Sequence, residues 1–420
     1  MPSFRRVAWA VAACVASVGL AVLGANAGCR KAPPDENVYT GSGGAKPPPS
    51  GTTPDSGDFD KRALLQAAGE CAVGRYRDFE GSARALRDAA AAWRDDPSDV
   101  RRDAARDAWR AAMAAWEQAE VFRVGPAARS SEPGGKNLRD QIYSWSLFHR
   151  CTIEEQLVDE TYARPEFATT LISTRGLGGF EFLAFYGGTD NACPGGSPIN
   201  ALGSWNRLGP EEIGRRKARY AAAIADNIGG HVATLLAAWD PGGGNFLNEL
   251  VAAGAGSATF GTNQDAFNAL SAALFYVEME VKDEKLGKPL GLNDCTRGRC
   301  PEAVESPYAR ISKENIKANL IGFRRLFQGC GENGAGLGFD DWLRAVGASD
   351  LSDRMIAALA TAQAAVDALA GMSLEQALES APAKVEALYG AVKTLTDLLK
   401  TEFITVLNLE LPKGSEGDND

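Results

Sequence analysis

The chain has 420 residues, of which 45% are hydrophobic and 23% charged, and its formal net charge at pH 7 is −10. These values are ordinary for a globular protein, and the length allows two or three domains. The acidic balance argues against a nucleic-acid-binding protein, which needs a basic face, and against electrostatic docking on anionic lipid.

The first 28 residues have the pattern of a signal peptide. Arg5 and Arg6 precede an uncharged, mostly apolar run from residue 7 to residue 24. Ala25-Asn-Ala27 fits an ordinary cleavage site, whereas Gly28-Cys29 resembles the end of a bacterial lipobox. We therefore expect export. Lipidation of Cys29, which would anchor the protein to a membrane, is favoured over ordinary cleavage or retention as a membrane anchor.

Residues 29–59 are rich in Pro, Gly and Ser, a composition typical of a flexible tether. If Cys29 is acylated, an even number of mature cysteines remains, and an even count in an exported chain predicts disulfides. These cysteines are Cys71, Cys151, Cys193, Cys295, Cys300 and Cys330. Cys295 and Cys300 are close enough to pair with each other, while the sequence leaves the other pairings open. The absence of a C-x-x-C pair argues against a zinc ribbon.

From residue 60 onward apolar residues recur at helical spacings, and no long segment alternates with a period of two. The predicted helices span residues 60–93, 100–122, 138–162, 176–186, 211–239, 265–285, 312–327, 339–346, 351–371 and 374–409, the last with a break near Pro382. The fold class is therefore predicted to be all-α, with long helices in two similar bundles, 60–204 and 205–411. The acidic tail, 412–420, is predicted to be disordered.

One carboxylate, Glu181, lies in the most apolar stretch of the mature chain, Gly176-Leu-Gly-Gly-Phe-Glu-Phe-Leu-Ala-Phe-Tyr186. A glutamate is rarely buried without compensation, because removing an ionised carboxylate from water costs several kcal/mol. We therefore expect a cation, a metal ion, a hydrogen-bond network or a bound proton beside Glu181.

The second predicted helix places acidic and basic groups at the end of an apolar stripe. Its shared face carries Trp109, Met113, Trp116, Glu120 and Arg123. The large apolar residues belong in a core, and Glu120 and Arg123 continue the same face at the helix end. A structural ion pair is the favoured interpretation, and the alternative is that both residues line a cleft. Glu117 lies to one side and fits either arrangement.

Several collinear blocks, covering most of residues 60 to 410, resemble the imelysin-like family. The blocks are Trp109–Pro126, Tyr143–Ser146 with Val158-Asp159, Arg175–Phe185, Lys282–Leu290, Val304–Tyr308 and Gly336–Gly347. The resemblance implies an exported, all-helical protein of two packed bundles, with a candidate site in the cleft between them. It also implies a lipoprotein or periplasmic protein associated with iron acquisition. The family was named for a peptidase.

The third of these blocks is similar to the segment that carries the family's G-x-H-x-x-E motif. Gly176 and Glu181 match the motif, but Gly178 stands where the histidine would be. A glycine side chain offers no metal ligand and no base, so the metal site that the resemblance implies is weakened. The chain contains neither H-E-x-x-H nor G-x-S-x-G, which argues against a conventional zinc protease or serine hydrolase.

The leading hypothesis is a binding protein of the bacterial cell envelope, facing the periplasm or exposed at the surface. Its ligand would be iron, another hard cation or an iron-bearing compound, since oxygen ligands suit hard cations. The candidate ligand-binding residues are Glu181, Glu120, Glu117, Arg123, Arg175 and Gly176. Glu181 is the candidate metal ligand, and the two arginines are charge partners or anchors for a small anionic ligand.

The alternative hypothesis is a variant without metal. In it Glu181 forms a salt bridge with an arginine, and the protein acts as an anion-binding or peptide-binding module or as a structural interaction module. A peptidase ranks third, because the sequence shows no nucleophile beside a base. No nucleic-acid partner is expected, and the sequence identifies no protein partner.

Overall fold

The computed structural model describes residues 59–296 and 298–415. Within these ranges the protein contains no β-strand and is built from α-helices. They are α1 (Lys61–Asp95), α2 (Asp99–Ala119), α3 (Leu138–Ile142), α4 (Arg150–Asp159), α5 (Gly176–Phe185), α6 (Pro198–Ala201), α7 (Ser204–Trp239), α8 (Phe246–Val251), α9 (Asn263–Leu274), α10 (Lys288–Leu290), α11 (Ser312–Gln328), α12 (Phe339–Ala345), α13 (Ser349–Asp367), α14 (Leu374–Ser380), α15 (Pro382–Leu398) and α16 (Ile404–Val406). Two π-helices, Val277–Gly287 and Leu399–Phe403, follow α9 and α15. The all-α prediction is confirmed. The signal peptide, Cys29, almost all of the tether and the last five residues lie outside the described ranges.

Helix α1 shows why the predicted pattern forms a helix. Asp60 caps its start, because Oδ1 accepts a hydrogen bond from Ala63 N over 2.9 Å. A stripe of apolar side chains from Leu64 to Trp93 is buried along its whole length. This stripe packs against α2 and α7, so the three helices share one hydrophobic core.

Helix α7 begins earlier than predicted, at Ser204 rather than residue 211, and continues through a kink at Gly209-Pro210. Gly209 has φ of 69°, and the following proline starts a new helical turn without needing a backbone donor. By length and composition alone α7 could cross a bilayer, but a core helix passes the same test. Here α7 packs on α1 and α5.

The predicted single helix over residues 138–162 is wrong. The chain forms α3 and α4, and residues 143–149 between them are not helical. Tyr143 is extended, and Ser146 has φ of 69°. His149 then caps α4 by accepting a hydrogen bond from Thr152 N over 3.3 Å. The prediction of continuous helix over 265–285 also needs correction, because a π-helix replaces α-helix from Val277.

All six mature cysteines are paired, as the even count predicted. The pairs are Cys71–Cys330, Cys151–Cys193 and Cys295–Cys300. The last is the local pair that the sequence indicated. The first joins residues 259 positions apart, a pairing that sequence spacing does not reveal.

Helix α2 packs on α11, across the boundary between the two predicted bundles. The contact is close because a Cβ on Gly322 would lie 2.6 Å from the carbonyl oxygen of Gln118. The described residues belong to one compact unit. The division at residues 204 and 205 into two bundles, with the cleft between them, therefore stays a prediction.

Candidate functional site

Glu181 lies on α5, which is buried over most of its length. The helix begins at Gly176, whose φ of 71° is in the left-handed region that favours glycine. A Cβ on Gly176 would lie 2.6 Å from the carbonyl oxygen of Ile142, so glycine also allows the close approach to α3. Packing of α5 against α2 and α7 leaves Glu181 only 4% exposed.

Two backbone amides, rather than an arginine, hold the Glu181 carboxyl group. Tyr308 N and Ala309 N each donate a hydrogen bond of 2.9 Å to Glu181 Oε1. Burial raises the pKa of Glu181 to about 8, which outweighs the lowering effect of the two amides. The group therefore holds a proton at pH 7. No described residue forms a hydrogen bond with Glu181 Oε2.

This pKa predicts a pH dependence of stability. The ordinary pKa of the carboxyl group is 4.5, and in the folded protein it is about 8. Between these two pH values the folded protein keeps a proton on Glu181 that the unfolded chain releases. The stabilising contribution is therefore complete at low pH and is lost as the pH rises through this window. We expect the free energy of unfolding, relative to that of Glu181→Gln, to fall by a few kcal/mol between about pH 5 and pH 8. Urea unfolding of both proteins across this range measures the difference, and parallel pH profiles would contradict the prediction.

Glu181 lines a cavity of about 200 Å³. Arg175 and Lys288 place positive charge in its lining, and Glu302 lies at its exposed rim. Gly178 also lines the cavity, and a Cβ built there would meet only Tyr143 Cε2, at 3.7 Å. There is therefore free space for a side chain at position 178, where the family motif has a histidine.

Arg175 is a buried cation without a carboxylate partner among the described residues. Its guanidinium donates hydrogen bonds to Gln141 Oε1 at 2.6 Å and to Asn227 Oδ1 at 3.1 Å. It also lies 3.0 Å from His231 Nε2. Burial and the charge of Arg175 lower the pKa of His231, so the imidazole is neutral and accepts this bond. Neutral partners thus hold a positive charge at the cavity wall.

Glu117 and Glu120 belong to a second, closed set of charges, the Lys285 cluster, which consists of Glu117, Glu120, Lys285 and Glu305. Lys285 Nζ lies 2.6 Å from Glu117 Oε2, 3.0 Å from Glu305 Oε2 and 3.5 Å from Glu120 Oε1. None of the four residues is more than 1% exposed. Arg139 Nε adds a second positive charge, 3.4 Å from Glu120 Oε2.

A bound proton balances the charges of the Lys285 cluster. Burial and the carboxylate of Glu305 raise the pKa of Glu117 well above its ordinary value. Burial also acts on Glu120, but Arg139 and Lys285 outweigh it and lower the pKa of Glu120. With the proton on Glu117, two carboxylates face two cations. The cluster is therefore a charge-balanced ionic core, although Glu117 Oε1, Glu120 Oε2 and Glu305 Oε2 accept no hydrogen bond in the described structure.

The cluster and the cavity are neighbours through Tyr143. The Tyr143 hydroxyl donates a hydrogen bond of 2.9 Å to Glu305 Oε1, and its ring faces Gly178. Neither Glu117 nor Glu120 lines the cavity. The structure therefore brings Glu181, Arg175 and Gly178 together and leaves the other two glutamates in the core.

Arg123 lies elsewhere. It lines a wider groove of about 720 Å³, and its Nη1 is 3.6 Å from Glu280 Oε1. The predicted pair between Glu120 and Arg123 is not formed, because Glu120 is engaged by Arg139, Lys285 and the Tyr276 hydroxyl. Arg123 thus has no contact with Glu181.

Sequence reasoning missed Lys285, Glu305 and Lys288. Lys285 lies in a segment of mixed charges, which usually indicates a solvated helix face. One signal was available: Glu278, Lys282 and Lys285 follow one another at spacings of four and three, and all are buried on the π-helix. Glu305 lies in a loop, where no periodicity indicates its direction.

Together these features define a helical protein with a small cavity, whose lining includes one buried carboxyl group. A sequence model of the imelysin family matches residues 72–401. The chain therefore belongs to the imelysin family, as the resemblance of its sequence blocks indicated. No curated protein matches its sequence.

Two solved structures share the fold. An imelysin-like protein from Psychrobacter arcticum 273-4 superposes with a TM-score of 0.60 at 18% identity, over 84% of this chain and 98% of that one. A protein from Parabacteroides distasonis ATCC 8503, described as an iron-regulated protein A precursor, gives a TM-score of 0.61 at 17% identity, over 83% of this chain and 95% of that one. At these identities the likeness establishes the fold alone.

Proposed function

We propose that this protein is an exported, lipid-anchored binding protein of the bacterial cell envelope that serves iron acquisition, and that its ligand enters the Glu181 cavity. Family membership supports the proposal, as does the fold shared with a protein described as iron-regulated. The signal-peptide pattern and the lipobox-like Gly28-Cys29 support export and lipidation. The site is chosen because the buried Glu181 has an unpartnered Oε2 and lines a cavity whose lining also includes Arg175 and Lys288.

The lining residues do not fit a bare metal ion. Glu181 is the one buried carboxyl group among the described lining residues, and Gly178 supplies no donor. A hard cation takes several oxygen ligands, and the positive charges of Arg175 and Lys288 oppose it. An anionic, oxygen-rich iron compound fits better. Arg175 and Lys288 would attract it, and the protonated Glu181 would donate a hydrogen bond to one of its oxygens.

Calorimetric titration of the mature protein with ferric citrate, citrate alone and ferrous ion tests the proposal. Glu181→Gln is expected to keep ferric citrate binding within a few-fold, because an amide also donates a hydrogen bond. Glu181→Ala and Lys288→Met should each weaken it about tenfold, a loss of about 1.4 kcal/mol. Lys317→Met is the matched control, because this exposed lysine pairs with Asp367 away from the cavity.

Two results would overturn the proposed ligand class. Ferrous ion binding that is abolished by Glu181→Gln would show a carboxylate ligating a bare metal. Failure of the wild-type protein to bind ferric citrate would rule out an anionic iron compound as the ligand.

A second candidate function is favoured by Gly178, which replaces the histidine of the family motif. In this alternative the cavity binds a metal-free anion or peptide, or the protein is a structural interaction module. Equal affinity for citrate with and without iron would support it. Peptide cleavage that is lost in Glu181→Gln would instead support a peptidase.

A further inference from the structure

A second cavity, of about 160 Å³, lies where α2, the end of α5 and the kinked start of α7 meet. Its lining shares no residue with the Glu181 cavity. Three basic residues, Arg102, Arg106 and Lys217, line it, and no carboxylate does. Because like charges repel, an anion bound in this space would offset the repulsion among the three cations.

Lys217 is the most buried of the three cations, at 7% exposed. Its Nζ donates hydrogen bonds to the carbonyl oxygens of Tyr186 at 2.7 Å and Gly188 at 3.0 Å. An ammonium group has three donors, so one N–H is left for a further acceptor. The nearby acids Glu154 and Asp190 are both paired with Arg150, at 2.6 and 2.9 Å.

The two arginines have capacity for an anion as well. Arg102 Nε is buried and has no hydrogen-bond partner in the described structure, while its Nη2 pairs with Asp99. Arg106 donates from Nε to the carbonyl oxygen of Ala184 at 2.8 Å and from Nη1 to Asp103. Arg102 and Arg106 are four positions apart on α2 and line the same cavity, so their side chains share one face of the helix.

Both burial and neighbouring positive charges act on the pKa of Lys217. Burial, with smaller contributions from the charges of Arg150 and Arg102, lowers the pKa of Lys217 to about 8. The three cations on α2 and α7 line one cavity, whereas Asp99 and Asp103, the acidic partners of the two arginines, do not line it and have side chains 81% and 61% exposed.

We propose that this cavity is a binding site for a small phosphate-class oxyanion, held by Lys217, Arg102 and Arg106. Guanidinium forks and an ammonium point charge are the groups that proteins use for tetrahedral oxyanions. The volume suits inorganic phosphate or the phosphate end of a small monoester. The site is independent of the proposed iron function, because its residues and its cavity are separate.

Titration calorimetry of the mature protein with inorganic phosphate and with glycerol 3-phosphate, at low ionic strength, tests the site. We expect one phosphate per chain, and at least about tenfold weaker binding in both Lys217→Met and Arg102→Met. Arg102 is partly exposed, so its variant tests the site even if Lys217→Met folds poorly. Tighter binding of glycerol 3-phosphate than of inorganic phosphate would identify a monoester as the ligand.

Two control variants separate this site from other cations. Arg110→Met removes an arginine of α2 that pairs with Asp107 and does not line the cavity. Lys317→Met removes an exposed cation that pairs with Asp367 and lines neither cavity. Both should leave phosphate affinity unchanged. Absence of phosphate binding, or affinity that falls in the controls but not in Lys217→Met and Arg102→Met, would overturn the inference.

Discussion

Lys285→Met is expected to lower the free energy of unfolding by about 3–5 kcal/mol, the range for breaking a buried ion pair by removing one partner. Lys285 Nζ contacts three carboxyl groups, and none of these residues is more than 1% exposed. Without the ammonium, Glu305 loses its cation and Glu120 keeps only Arg139. Methionine preserves the unbranched shape of the side chain, so the loss reports the charge more than the packing. Urea unfolding followed by circular dichroism measures it.

Lys317→Met provides the comparison for that experiment. Lys317 and Asp367 form an ion pair whose side chains are 46% and 59% exposed. Exposed pairs contribute about 0–1 kcal/mol, so this variant should remain close to the wild type. Equal losses in the two variants would mean that Lys285 contributes no more than a surface lysine. Glu305 and Glu120 would then not need the cation that we assign to them.

Gly178→His is expected to create a metal site in the Glu181 cavity. Positions 178 and 181 are three apart on α5, so their side chains lie on one face of the helix. A Cβ at position 178 has no neighbour closer than 3.7 Å, which leaves room for an imidazole. Imidazole and carboxylate together ligate zinc and ferrous iron, and metal binding would displace the proton from Glu181. We expect affinity for zinc to rise at least about tenfold, a change of about 1.4 kcal/mol.

Competition with a chromogenic zinc chelator measures this gain. Gly81→His is the matched control, because Gly81 lies on the exposed side of α1 with nothing within 4 Å of its Cβ position. The double variant Gly178→His with Glu181→Gln should lose the gain. An equal rise in Gly81→His, or a gain that persists in the double variant, would show that the new imidazole binds zinc without the cavity.

The sequence predicted the long helices well because their apolar stripes are continuous. α1 and α2 begin and end within three residues of the predicted bounds. Residues 143–149 were mistaken for helix because they contain neither glycine nor proline to mark a break. The aromatic side chains of Tyr143, Trp145 and Phe148 pack from a non-helical segment against the core. Periodicity shows which residues are apolar, but not whether the backbone between them turns.

The candidate site was predictable in part. The apolar neighbours of Glu181 indicated a buried carboxyl group, and a bound proton was among the expected forms of compensation. Its hydrogen-bond donors, Tyr308 N and Ala309 N, were not predictable, because every residue except proline carries a backbone amide. The partners of Glu117 and Glu120 were missed for another reason: the contacts to Lys285 span more than 160 residues of sequence. Such long-range pairing leaves no local pattern.

The Cys71–Cys330 disulfide bears on how the protein would carry mechanical load. If Cys29 holds the chain to a membrane, a pull between this anchor and the C-terminal helices enters α1 and soon reaches Cys71. From there the shortest covalent path crosses the sulfur bridge to Cys330 and bypasses the intervening chain. Glu181, the Lys285 cluster and both cavities lie almost entirely within that bypassed stretch. Tension along the tether would therefore be carried around the binding machinery, and the oxidised protein could be stretched at its ends while both sites kept their shape.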